Sequence, residues 1–98
     1  MFRHVVLVQW KEGTPTTLGD EVAAALRKLP ERGIPFRSYD VGADLGLPGP
    51  NHYDFGVIAT FDDQTGWDAY MADEEHDRIR AELINPNVEV RATVQFQA

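Results

Sequence analysis

Apolar and polar residues alternate along some stretches of the chain and recur at helical spacing along others, and the two patterns divide it into elements. Phe2 to Trp10 is rich in β-branched and aromatic residues and runs into Lys11-Glu12-Gly13, which predicts a first strand. Thr14-Pro15 reads as a helix N-cap followed by proline in the first turn, with Asp20 and Glu21 early and Arg27 and Lys28 late, as the helix dipole favours. Leu18, Val22, Ala25, Leu26 and Leu29 form that helix's apolar stripe, and Pro30 ends it ahead of Gly33. A weaker strand is expected from Ile34 to Val41, and the Gly/Pro-rich segment from Gly42 to His52 reads as a loop. Tyr53, Phe55, Val57, Ala59 and Phe61 alternate with Asp54, Gly56, Ile58 and Thr60, the pattern of a half-buried strand. Asp62 or Asp63 can cap a short helix with Trp67, Tyr70 and Met71 on one side, and Asp73 can cap a second carrying His76, Ile79, Arg80 and Leu83. After Asn85-Pro86-Asn87, a last strand alternates Val88, Val90, Ala92, Val94 and Phe96 with Glu89, Arg91, Thr93 and Gln95.

The order β-α-β-β-α-α-β predicts one α+β domain over 1–98, a ferredoxin-like four-stranded antiparallel sheet with helices on one face. The other face is expected to carry Arg3, Val5, Leu7, Gln9, Ile58, Thr60, Arg91 and Thr93. Its first strand is too apolar to be left wet, so two sheets packing face to face as a homodimer are expected. Length points the same way, because a chain of 98 residues buries only roughly 60–65% of its unfolded surface.

Charge narrows the partners. Nine Lys and Arg against sixteen Asp and Glu leave a net charge of −7, which disfavours nucleic acid, since phosphate binding needs clustered cations. No apolar run is long enough to cross a membrane, no cysteine is present, and the start MFRHVV is unlike a signal peptide, so a cytoplasmic location is expected. With three histidines and no cysteine a metal site is not expected, and neither a phosphate-binding glycine fingerprint nor a nucleophile elbow is present. No cofactor is implied.

The segments FRHVVLVQWK, HYDFGVIATFDD and WDAYMADEEHDRIRAEL, taken together in order, resemble the stress-responsive A/B barrel (Dabb) domain family over nearly the whole chain. The resemblance implies a dimeric α+β barrel, in a family that holds plant stress proteins without an assigned reaction and a plant polyketide cyclase that needs no cofactor. His4, His76 and Tyr70 match the positions that carry the cyclase's chemistry. This chain departs from the family where many members have a histidine and proline, here Asp73 and Glu74, and where a tyrosine of the cyclase pocket falls near Val22.

His4 shares its strand face with Val6, Val8 and Trp10, and His76 its helix face with Ile79 and Leu83, so both imidazoles are expected between sheet and helices. Two imidazoles and a phenol in an apolar pocket suit proton abstraction beside a carbonyl, with His76 as base, His4 as its orienting partner and Tyr70 as carbonyl donor. Val6, Val8, Trp10, Val22, Trp67 and Ile79 are the expected ligand-binding wall of a small-molecule site. Three other readings stay open: a buried His4–His76 pair that satisfies itself in a non-catalytic stress-response or ligand-carrying protein, a core rather than cavity role for Trp10 and Trp67, and a haem-binding α+β barrel with His76 as axial ligand. His52, in the Gly/Pro loop, is expected to be exposed or part of a lid.

Overall fold

The computed structural model describes residues 1–50 and 52–98. The order is β1 Phe2–Trp10, α1 Leu18–Leu26, β2 Ser38–Ala43, β3 Phe55–Phe61, α2 Gln64–Ala72, α3 Glu74–Ile79 and β4 Val88–Gln97. All neighbouring strands are antiparallel in the order β2-β3-β1-β4, which is the ferredoxin-like arrangement. No helix among the described residues is long and apolar enough to cross a membrane.

The alternation in β3 orients the sheet. Phe55, Val57, Ala59 and Phe61 are buried, and His4, Val6 and Val8 of β1 join them on the helix-covered face. Helix α2 lies hard against this layer, since a Cβ at Gly66 would come within 2.8 Å of the Phe61 ring. Gly19 lets α1 approach β2 in the same way, 2.9 Å from the Ala43 Cβ.

Several boundaries differ from those expected. Helix α1 starts at Leu18, not at Thr14-Pro15: the Leu18 N–H donates to the Pro15 carbonyl, so the proline belongs to the turn that delivers the chain to the helix. Its stripe buries Ala23 where Ala25 was expected, and Leu29 and Pro30 open a separate 3-10 turn closed by left-handed Gly33. The second strand runs from Ser38 to Ala43, four residues later than expected at its start, because Ile34 is spent on the core and the Phe36 N–H turns back to the Ile34 carbonyl. The Gly/Pro loop therefore begins after Ala43; residue 51 within it lies outside the described residues. Asp63 caps α2 by accepting from the Thr65 N–H, and Asp73 caps α3 by accepting from the His76 N–H. Beyond Ile79 the helix widens into a π turn over Arg80–Ile84, an irregularity found disproportionately at functional sites.

The main correction concerns β4. Gln95 lies opposite His4, Thr93 opposite Val6 and Arg91 opposite Val8, so these polar residues face the helices. Arg91 and Thr93 are therefore not on the outer face. Their apolar neighbours are: Leu7, Ile58, Val90, Val94 and Phe96 are 39% to 52% exposed there. The register with β1 decides the matter, since a strand's two residue sets are exchanged by a slip of one position.

Candidate functional site

Between β1 and β4 on one side and the α2–α3 pair on the other lies a cavity of about 180 Å³. His4, Val6 and Val8 enter it from β1, Trp67, Tyr70 and Met71 from α2, and His76 from α3. Of the expected ligand-binding residues, Val6, Val8 and Trp67 line this cavity. Val22 and Ile79 lie in the closed core, fully buried, and Trp10 borders a wider, shallower depression of about 390 Å³ beside Asp44 and Asp54. His52 sits on the loop near Asp44, at 3.6 Å.

The three residues expected to carry chemistry meet in the cavity. The Tyr70 and His76 rings stack with centroids 3.9 Å apart and planes 17° apart, while the His4 ring meets the edge of Tyr70 at 6.0 Å. The expected His4–His76 hydrogen bond is not present among the described residues. Each imidazole has its own partner: His4 Nδ1 bonds Gln95 Oε1 at 2.6 Å, and His76 Nδ1 bonds the Tyr70 carbonyl at 2.9 Å. The correction has a simple cause. Once Gln95 stands opposite His4 across the β1–β4 ladder, an acceptor on the neighbouring strand is nearer than any group on α3.

These partners determine the tautomer. A carbonyl oxygen only accepts, so Nδ1 of His76 must carry the proton, and in the neutral ring Nε2 is left as a bare lone pair. With Gln95 oriented to accept, the same holds for His4. Burial lowers the His76 pKa to about 4, with the Arg80 charge acting in the same direction, so the ring is neutral and basic at neutral pH. Burial also lowers His4, against the Gln95 hydrogen bond and together with Arg80. Burial pushes the Tyr70 phenol up to about 12, so it stays protonated. Its hydroxyl bonds the Tyr39 hydroxyl at 2.9 Å, and burial pushes Tyr39 up as well.

Asp73 holds the N-terminus of the His76 helix. Besides capping it, Asp73 takes two hydrogen bonds from Arg32 Nε, at 3.0 and 3.1 Å. Burial would raise its carboxyl, but the His76 N–H and Arg32 outweigh that and hold it below the ordinary range. Sequence reasoning missed Gln95, Tyr39, Arg32 and the entry of Arg91 into the cavity. Gln95 and Arg91 were within reach, because pairing the first and last strands antiparallel places them beside His4 and Val8. Tyr39 and Arg32 carry no such signal, since each meets its partner only through tertiary packing.

A search of curated proteins gives no match. Among solved structures, a dimeric ferredoxin-like protein of unknown function from Thermobifida fusca is 36% identical, with a TM-score of 0.86 over 99% of this chain and 90% of that one. A dimeric protein of the same fold from Bacteroides fragilis is 19% identical, with a TM-score of 0.85 over 99% and 95% of the two chains. A hydroxynitrile lyase from Passiflora edulis is 16% identical, with a TM-score of 0.77 over 97% and 90%. The last two likenesses establish fold alone. The model of the stress responsive A/B barrel domain matches residues 2–98, and the chain belongs to that Dabb family.

Proposed function

We propose that the protein is a homodimer whose cavities each bind a small carbonyl compound and move a proton beside the carbonyl without a cofactor, as a cyclase or isomerase does. The observation that carries this reading is the pair of neutral imidazoles lining one cavity, His4 from the sheet side and His76 from the helix side, both tied at Nδ1 and both left with a bare Nε2. His76 takes the proton from the carbon next to the carbonyl, and the electron pair moves onto the oxygen as an enolate. If Tyr39 donates to Tyr70, the Tyr70 O–H is released to the developing oxyanion. The proton then returns to another carbon, or the enolate carbon attacks a second carbonyl and closes a ring. His4, held by Gln95, is the second proton carrier. That a hydroxynitrile lyase uses the same fold supports a catalytic use of such a cavity.

The outer sheet face supports the dimer. Burying Leu7, Ile58, Val90, Val94 and Phe96 contributes up to ~1.5–3 kcal/mol per fully buried side chain, against an association cost of ~4–15 kcal/mol. Two copies supply that set twice, and the Thermobifida fusca protein is described as dimeric. Sedimentation is expected to give twice 11.0 kDa, and an 11.0 kDa species alone at micromolar concentration would refute the dimer.

The reaction is tested with cyclohexanone and acetylacetone in deuterated water, following loss of the α-proton signals by NMR. The protein is expected to speed exchange over buffer, and His76→Ala to lower the rate by about a hundredfold or more with the dimer mass unchanged. Exchange as fast in the variant as in the wild type removes His76 as base. One observation favours a second reading, a non-catalytic ligand carrier: the polar groups of the site already satisfy one another through Gln95, the Tyr70 carbonyl and Tyr39. Binding of both ketones without any exchange would select it.

A further inference from the structure

Two arginines line the cavity, and proton transfer leaves both unused. Arg80 enters from the π turn and Arg91 from β4. A terminal nitrogen of Arg80 donates to Asp77 and one of Arg91 donates to Asn85, which holds the tips of the two side chains. The Nε–H of Arg80 is engaged differently. It is buried without a partner among the described residues, and the indole N–H of Trp67, another residue that lines the cavity, is in the same condition. Both groups can only donate, so both call for an acceptor.

The charge balance specifies which acceptor. No aspartate or glutamate is among the described residues that line the cavity, although the protein as a whole carries a net charge of −7. Two guanidinium groups and two neutral imidazoles make the wall cationic, and a guanidinium fork matches the planar geometry of a carboxylate. Apart from Tyr70, Thr93 and Gln95, the rest of the lining is apolar, with Val6, Val8, Val57, Leu26 and Ile84 among it. A cavity of ~150 Å³ holds a benzene-sized molecule, and this one, at about 180 Å³, has room for one ring or short chain with a single polar head.

We infer that the cavity takes a small keto carboxylate, its carboxylate bound by the Nε–H of Arg80 and the indole N–H of Trp67, with Arg91 adding a second positive charge to the wall. The inference rests on the carbonyl-binding reading and names the substrate class for that site. It also gives Arg80 a part in the chemistry. After burial, Arg80 is the main influence that weakens His76 as a base, and a bound carboxylate offsets that charge. The base is therefore strongest when the substrate is in place.

Benzoate and benzamide, one shape with and without the charge, test this by calorimetry on the whole protein. Benzoate is expected to bind about tenfold or more tightly than benzamide, a difference of about 1.4 kcal/mol. Arg80→Met should remove the preference, bringing benzoate to within about twofold of benzamide in the same variant, since the charge that separates the two ligands then has lost its ion pair. The Arg80 Nε–H resonance of the wild-type protein should move on adding benzoate, which keeps the test available if the variant does not fold. Equal affinity for the two ligands, or an unmoved Arg80 signal with benzoate bound, overturns the proposal. Ketone exchange that persists without a preference for benzoate removes the carboxylate subsite alone. A preference for benzoate without exchange leaves the subsite and removes proton transfer.

Discussion

The half of the sheet formed by β2 and β3 and the half formed by β1 and β4 obey the same alternation, yet they turn opposite kinds of residue inward. On β3 the inward set is Phe55, Val57, Ala59 and Phe61, and it merges into a buried core with Val22, Leu26, Leu29 and Ile79, of which Phe55, Val57 and Leu26 also border the hollow. On β4 the inward set is Arg91, Thr93 and Gln95, facing His4, Val6 and Val8, and the result is a hollow. A strand turns its polar residues inward without penalty only where they have something to bind. Here Gln95 serves His4, Arg91 donates to Asn85, and all three β4 residues keep contact with solvent. The cost of this inversion appears on the other side of the sheet, where Val90, Val94 and Phe96 are left exposed.

The contrast breaks most visibly under large-to-small substitution. Phe61 is fully buried, with α2 resting on its ring. Phe61→Ala is expected to destabilise the fold by ~3–5 kcal/mol, the loss of transfer energy plus a new cavity. Val6 already borders empty space, so Val6→Ala should cost only about 1 kcal/mol. Urea unfolding of both variants checks the ratio, and equal losses would mean that the hollow closes up in solution.

Acid sharpens the same contrast, because both buried histidines line the hollow. Burial holds the His76 pKa down to about 4 in the folded protein, against the ordinary 6.5 in the unfolded chain. Between those values the unfolded chain binds more protons, so stability is complete above pH 6.5 and falls as the pH drops toward 4. The loss attributable to His76 is roughly 3 kcal/mol, and His4 adds to it with the same sign. Asp73 and Glu75, whose pKa values are also lowered, act only below the ordinary carboxylate range. Stability measured from pH 7 to 4.5 should therefore slope steeply in the wild type and flatten in His76→Gln; a slope unchanged by that substitution would mean His76 is not buried neutral.

Much of this layout is legible in the sequence, and the illegible part has a physical reason. The strands around Val5 and Val57, the caps at Asp63 and Asp73 and the stripe from Leu18 to Leu29 follow from local periodicity and capping chemistry. That His4, His76 and Tyr70 converge follows from placing one stripe of each element toward the same interior. The inversion of β4 does not follow from periodicity. Alternation separates Arg91, Thr93 and Gln95 from Val90, Val94 and Phe96, but the usual rule sends the apolar set inward, and only the register against β1 reverses it. The partner of each histidine depends on that same register, so the hydrogen bonds expected between the imidazoles fail together with the strand's orientation. The start of α1 is a different case: Thr14-Pro15 satisfies the capping rule, yet the chain needs those residues to turn away from the sheet after Trp10.

Small-to-large substitution makes the finest distinction between the halves. Ala59 is fully buried in the core, between Tyr39 of β2 and His4 of β1 on the sheet. Ala59→Val adds two methyl-sized groups to a full space and is expected to cost ~1–3 kcal/mol through displaced rotamers. Val6→Ile adds one such group on the same face of the sheet, two positions from His4, but its side chain meets the hollow. The added carbon exchanges contact with water for contact with Val8, Val57 and Trp67, so stability should rise or stay within about 0.5 kcal/mol. The same carbon removes room from the cavity, and benzoate should bind more weakly to Val6→Ile even though the protein is no less stable. Stability and ligand affinity moving in opposite directions is the signature of a space kept open for a ligand. If both fall together, the hollow half is as tightly packed as its neighbour and the contrast between the two disappears.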